Sequence, residues 1–249
     1  KGSIALRQSG HGSAVVFLHG LGGSSKSWSR QLINLSESYH VIAWDCPGYG
    51  NSDDFPGGRP ATHDFAKALL SALDNMGIGE FSLVGHSMGG AVAPWIARLA
   101  PMRVKRLVLS ATKVSFGSDD PSGYDMRLAE RRQMDDETFG RARAKSMVGE
   151  DSPVFEEVAS IAGEIRVTGY EGAIHLLKNA NNAAILPTIE QPTLVVAGAN
   201  DKIAPTIATK AVADAVPSAH LITIPNAGHA AYMEQPEIYS NHLKEFLTL

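Results

Sequence analysis

The chain has 249 residues, 44% of them hydrophobic and 19% charged, with 22 basic against 26 acidic side chains and a formal net charge of −4. That apolar content supports a sizeable buried interior and excludes a disordered chain, and the mildly acidic balance carries no footprint for nucleic acid or an anionic lipid surface. A single cysteine, Cys46, excludes an internal disulfide and a cysteine-based zinc set, which fits a reducing compartment.

The first predicted elements are strands over 4–7, 15–18 and 40–44. After the second comes His19-Gly20-Leu21-Gly22-Gly23-Ser24-Ser25-Lys26-Ser27, a Gly-rich loop that nearly fits two phosphate cradles. The P-loop pattern is met by Gly20 and Lys26-Ser27, with Asp45 closing the next strand like a metal-holding acid. The dinucleotide fingerprint would use Asp45 on a ribose. Both fail at Ser25, where a smaller residue lets backbone approach phosphate or strand. Every residue is retained if a nucleophile lies beside the loop, because its backbone N–H groups then point at a developing oxyanion, with Leu21 as donor. Further on, Asp53 and Asp54 read as a solvated turn.

A helix over 63–76, stopped by Gly77, leads to a strand over 81–84 and then to Gly85-His86-Ser87-Met88-Gly89-Gly90 before a helix over 91–99 and Pro101. This is G-x-S-x-G in the strand-to-helix context it requires: a sharp turn holds Ser87 in a strained conformation, and only small flanking residues avoid collision. Ser87 is the candidate nucleophile, and the Met88 N–H, at the helix start, the second oxyanion donor. Side-chain changes at Leu21 and Met88 should be mild, since both act through backbone.

Past the strand over 104–109 the rhythm breaks. Between 113 and 186, 22 of 74 residues are charged against 26 of the other 175, and strand-like runs vanish, which marks an insertion. Segments 124–134 and 138–147 read as short charged helices of a small subdomain. The expected division is therefore a core of 1–112 and 187–249 with a helical subdomain over 113–186.

The strand over 193–197 is followed by Gly198-Ala199-Asn200-Asp201, a helix over 207–216, a strand over 220–224, then Asn226-Ala227-Gly228-His229 and a helix over 236–247. A serine hydroxyl needs a base, and His229 lies at the same carboxyl edge of the predicted parallel sheet as Ser87. The base needs a carboxylate, and Asp201 fills that place. After the strand over 104–109 the first alternative acid is Asp119, too far into the insertion. His11, His63, His175 and His242 read as solvated, and His40 and His220 open strands. His19 and His86 flank the two catalytic loops and are expected to support them by hydrogen bonds.

With Ser87, Asp201 and His229 in this order, together with His19-Gly20-Leu21-Gly22, Asp45-Cys46-Pro47-Gly48-Tyr49-Gly50-Asn51-Ser52 and Gly85-His86-Ser87-Met88-Gly89-Gly90, the sequence resembles an α/β-hydrolase over nearly its whole length. The resemblance implies an α/β fold with a mostly parallel, doubly wound sheet, the 113–186 insertion as a helical cap over the active site, and no metal or organic cofactor. It departs from the family in that the first of the usual eight strands is not read. It also implies a small-molecule substrate, taken as an ester or lactone, with His86 and Gly22 as candidate substrate contacts. Carbon–carbon bond hydrolases of meta-cleavage pathways often carry Asn before the serine and Trp after the histidine, where this chain has His86 and Ala230. A hydrolase-fold small-molecule receptor is the alternative of another class. In the insertion Arg127, Arg131, Arg132, Arg141, Arg143 and Arg166 could hold a substrate carboxylate, although solvated faces paired with Asp and Glu are the commoner fate of such residues. No nucleic-acid or membrane partner is expected: the apolar runs are strand-length, short of the roughly 20 residues a membrane span needs. No signal peptide is read at the amino end, and a cytoplasmic location is expected, but the sequence opens on Lys1 rather than Met, which leaves a removed leader open. Oligomeric state is not legible.

Overall fold

The computed structural model describes residues 2–56, 59–117 and 121–248; Asp119 lies outside them. Among the described residues the chain builds one seven-stranded sheet from β1 (Leu6–Ser9), β2 (Ser13–Leu18), β3 (Tyr39–Trp44), β4 (Phe81–His86), β5 (Val104–Ser110), β6 (Thr193–Gly198) and β7 (Ala219–Ile224), in the order β1-β3-β2-β4-β5-β6-β7. All pairings are parallel except β1 with β3, so the sheet is mixed only at one edge.

Strand period explains the two layers. On one face Val16, Leu18, Ile42, Trp44, Leu83, Leu107 and Val195 share a core with the next helices, α2 (Thr62–Asn75) and α3 (Met88–Leu99). The alternate residues Val15, Phe17, Val41, Ala43, Val84, Val108 and Val196 point the other way, into a core with α1 (Ser29–Leu35) and α10 (Pro236–Thr248). Residues buried on both faces read as continuous apolar runs, as a parallel sheet covered by helices demands. Helix α2 buries Phe65, Ala66, Leu69 and Leu73 at helical spacing and ends as expected at Gly77, whose φ of +71° accompanies bonds from Gly77 N to Asp74 O and Ile78 N to Leu73 O.

The insertion between β5 and β6 holds α4 (Pro121–Gln133), α5 (Asp136–Met147), α6 (Phe155–Gly163) and α7 (Val167–Asn179). α5 packs on α6 and α4 on α7. Its two ends meet, because Ser115 and Asn181 form an antiparallel bridge and the Asn182 N–H donates to Val114 O at 2.8 Å. Helix α8 (Thr206–Ala215) connects β6 to β7, and α9 (Ala231–Glu234) follows the last strand.

Three differences from expectation have physical causes. The first strand begins at Leu6 rather than residue 4, because its register comes from antiparallel pairing of Leu6–Ser9 with β3. Helix α1 is seven residues long and follows a 3₁₀ turn, too short to show a period. Helix α7 buries Tyr170, Ala173, Ile174, Leu176 and Leu177, but Gly169 and Gly172 interrupt its helical signal. No described helix is long and apolar enough to cross a membrane.

Candidate active site

Ser87 follows β4 and precedes the first residue of α3, with φ of 52° and ψ of −111°. Such a backbone costs on the order of 1–3 kcal/mol and persists only where its surroundings impose it. The Ser87 N–H donates to Ser110 O at 2.9 Å, and its carbonyl accepts from the Ala91 N–H at 3.0 Å and the Thr112 hydroxyl at 3.1 Å. The flanking glycines are required for space. A Cβ on Gly85 would lie 2.5 Å from Gly89 O, and one on Gly89 would collide with Leu18 O. This is the turn the sequence spacing predicts, and Ser87 itself is almost completely buried.

Asp201 and His229 leave the carboxyl ends of β6 and β7 and meet. His229 Nδ1 lies 2.9 Å from Asp201 Oδ2, while Asp201 Oδ1 accepts from the Ile203 and Ala204 N–H groups at 2.8 and 2.9 Å. Burial works to raise the Asp201 pKa, but the His229 bond and charge and the two N–H donors outweigh it, so the carboxyl sits below its usual range. An ionised acceptor there fixes the proton of neutral His229 on Nδ1 and leaves Nε2 as the basic nitrogen.

His86 ties this pair to the serine turn. Its ring is fully buried, 4.8 Å from the His229 ring, and its Nε2–H donates to the His229 carbonyl at 2.8 Å. Burial, and then the neighbouring His229, push its pKa down to about 3, which keeps it neutral. The structure thus brings His229, Asp201 and the segment carrying Ser87 together. It draws no hydrogen bond from the Ser87 hydroxyl to the imidazole among the described residues, a contact that often tightens only when substrate is bound.

The loop after β2 is held from below. Neutral His19 donates from Nδ1 to Gly20 O at 2.8 Å and accepts the Cys46 N–H on Nε2 at 3.0 Å; burial lowers its pKa. Asp45 receives the Ser25 N–H at 2.8 Å and the Asn51 N–H at 3.2 Å, so this carboxylate organises two loops. Lys26 pairs with Glu164 at 2.6 Å. The residues that imitated a phosphate cradle are therefore engaged elsewhere. The Leu21 carbonyl accepts from the Tyr49 hydroxyl at 3.0 Å, and the Leu21 N–H donates to no described group. Met88, as the first residue of α3, has no intrahelical acceptor for its N–H.

The insertion reaches this edge of the sheet. The Met147 carbonyl, at the end of α5, accepts the His229 N–H at 3.1 Å. A Cβ on Gly22 would lie 2.7 Å from Met147 Sδ and 3.8 Å from Arg143 Nε. Gly48 and Gly169 touch through backbone, with no room for a side chain on Gly169. Arg166 donates to Gly50 O at 2.7 Å and Ser52 O at 2.6 Å and pairs with Asp54 at 2.9 Å. Of the other arginines, Arg131, Arg132 and Arg141 pair with Asp136, Glu171 and Glu156, and Arg127 lies over the Tyr124 ring.

Sequence reasoning missed Tyr49, Thr112, Met147 and Glu234. Only Tyr49 had a signal, its place in the Pro47-Gly48-Tyr49-Gly50 turn. The Glu234 carboxylate accepts the Gly228 N–H at 2.8 Å and so anchors the loop that carries His229. Burial raises its pKa, the Gly228 and Ala230 N–H groups lower it, and the Asp201 charge raises it, to a net value of about 7. Because this lies above the ordinary 4.5, the protonated form favours folding; its contribution is complete below pH 4.5 and lost as pH rises through 7. Glu234→Gln should therefore flatten the fall in melting temperature over that interval in thermal scans at stepped pH. An unchanged slope would assign the fall to other groups.

Residues 15–241 match the model of the alpha/beta hydrolase family. Among relatives, a pimeloyl-[acyl-carrier protein] methyl ester esterase of Nitrosomonas europaea is 28% identical, with 94% of this chain and 96% of that protein covered. The protein named "Putative carbamate hydrolase RutD" in Variovorax paradoxus is 30% identical over 95% of this chain and 92% of its own length. Similar solved structures include a thermophilic esterase from Thermogutta terrifontis, with TM-score 0.91 and 28% identity over 99% of this chain and 93% of that one.

Proposed function

The chain belongs to the alpha/beta hydrolase family, and from that premise we propose that it is a serine hydrolase cleaving a small carboxylic ester or lactone through an acyl-enzyme on Ser87. The observation that carries this is the Asp201-bound imidazole of His229, attached through His86 to a serine at positive φ. His229 Nε2 takes the Ser87 proton as Oγ attacks the substrate carbonyl, and Asp201 stabilises the imidazolium. The N–H groups of Leu21 and Met88 receive the oxyanion, each typically worth about 3–4 kcal/mol in the transition state. His229 then protonates the leaving alcohol and activates the water that releases the acid. His86 acts through His229, and Gly22, packed against Met147, would lie beside the acyl group. Helices α4 to α7 form the cap over this site, and the Ser115–Asn181 bridge marks its base.

The relatives' names support an ester as substrate and add a carbamate to the compounds worth assaying. The test is kcat/KM for aryl esters, enol-lactones, carbamates and meta-cleavage dienones. Steady turnover fastest on an ester or lactone is expected. A preference for the dienone would replace this by carbon–carbon bond hydrolysis, and a single burst equal to the protein present would favour a receptor.

A further inference from the structure

Arg143 is the exception among the six arginines named from the sequence. The other five are held by carboxylates, carbonyls or a ring, whereas Arg143 makes no hydrogen bond or ion pair among the described residues, and its Nε is completely buried without a partner. A buried donor is ordinarily hydrogen-bonded, because leaving it without a partner forfeits its hydration.

Its position gives that unpaired state a meaning. Arg143 stands one helical turn before Met147 on α5, on the side facing Gly22, the neighbour of the proposed oxyanion donor Leu21. Tyr49 and Tyr170 lie in the same buried cluster as Leu21. Tyr49 is engaged with the Leu21 carbonyl, but the fully buried Tyr170 hydroxyl, from α7, has no described partner either. Arg143 thus approaches the oxyanion loop from α5 as a charged donor without an acceptor among the described residues, and the Tyr170 hydroxyl, on α7, is a second donor left without one. Neither is hydrogen-bonded to a carboxylate among the described residues.

We infer that Arg143, assisted by the Tyr170 hydroxyl, recognises a carboxylate on the substrate, so that the preferred ester or lactone is the half-ester or internal ester of a dicarboxylic acid. A lone guanidinium balances a monoanion and presents a planar donor fork to it. A phosphate dianion would call for a second cation, and the other arginines of the insertion are occupied. The carboxylate is held on the acyl side, across from Leu21, and chain length between the two carbonyl carbons sets which substrate reaches both points. This inference rests on the ester or lactone reading above.

The experiment compares linear monomethyl dicarboxylates with methyl esters of monocarboxylic acids of equal length. The parent protein should favour the half-esters by about tenfold or more in kcat/KM at one best length, chiefly through KM. Arg143→Gln should abolish that ratio and Arg143→Lys should retain part of it, while Arg141→Gln, whose guanidinium pairs with Glu156 at the surface, should keep it in full. Hydrolysis of both series at equal rates by the parent would overturn the inference and leave ester hydrolysis standing. A ratio that survives Arg143→Gln would overturn it as well. Calorimetric binding of the matching linear dicarboxylate to the Ser87→Ala protein needs no turnover. Loss of about tenfold in affinity on adding Arg143→Gln is expected, and equal affinity would overturn the inference even if no ester were cleaved.

Discussion

Ser87→Ala should lower kcat on the best ester by on the order of 10⁴- to 10⁶-fold while leaving the melting temperature within a few degrees of the parent. On the proposed mechanism the loss follows from removing the atom that would bond to the acyl carbon, and the residual rate would come from binding and the Leu21 and Met88 donors alone. Stability changes little because the backbone bonds that impose φ of 52°, from Ser110, Ala91 and Thr112, do not involve the hydroxyl. A companion variant separates chemistry from strain. Ser87→Gly, free of the Cβ that makes positive φ unfavourable, should be equally inactive and melt above Ser87→Ala. Stopped assays and thermal scans on the three proteins decide it, and retained turnover in Ser87→Ala would remove Ser87 as nucleophile.

Asp201→Asn should cost about 10⁴-fold in kcat, nearly as much, by a different route. Asn can keep its carbonyl oxygen on the Ile203 and Ala204 N–H groups, which now bind Asp201 Oδ1. Its NH₂ then faces His229 Nδ1, which must become an acceptor. The imidazole proton moves to Nε2, the nitrogen that the proposed mechanism uses as base. The substitution also tests the linkage of Asp201 to folding. A carboxyl held below its ordinary 3.8 adds stability above that pH and loses it as pH falls through the folded value, so the variant should lose less stability on acidification than the parent. Full activity in Asp201→Asn would require another carboxylate behind His229.

The sheet and the placement of the candidate site residues on it were legible for a common reason. Strand-length apolar runs, a glycine on each side of Ser87 and a carboxylate and histidine after the last two strands are local patterns, and each reports a local steric or hydrogen-bonding demand. The face-by-face division of Val15 and Phe17 from Val16 and Leu18 follows directly from strand period. Contacts made across the chain left no such mark. Nothing near Met147 in sequence says that its carbonyl will hold the His229 N–H, and nothing around Glu234 says that it will anchor Gly228. The arginines were visible as a group, but which one remains unpaired depends on where three helices place Asp136, Glu156 and Glu171 and where the loop after β3 places Asp54. Asp45 was visible too, yet its meaning changed with context: the acid that suggested a nucleotide binds the N–H groups of Ser25 and Asn51.

The pinch at Ser115 and Asn181 bears on inheritance. A chain excursion that departs and returns at one point places no demand on the spacing of β5 and β6, whose pairing continues beneath it. Lengthening, shortening or wholesale exchange of what lies beyond the pinch leaves the scaffold's register intact. If the excursion is what chooses the substrate, a graft made at these two residues should transplant one relative's preference into another without disturbing the sheet.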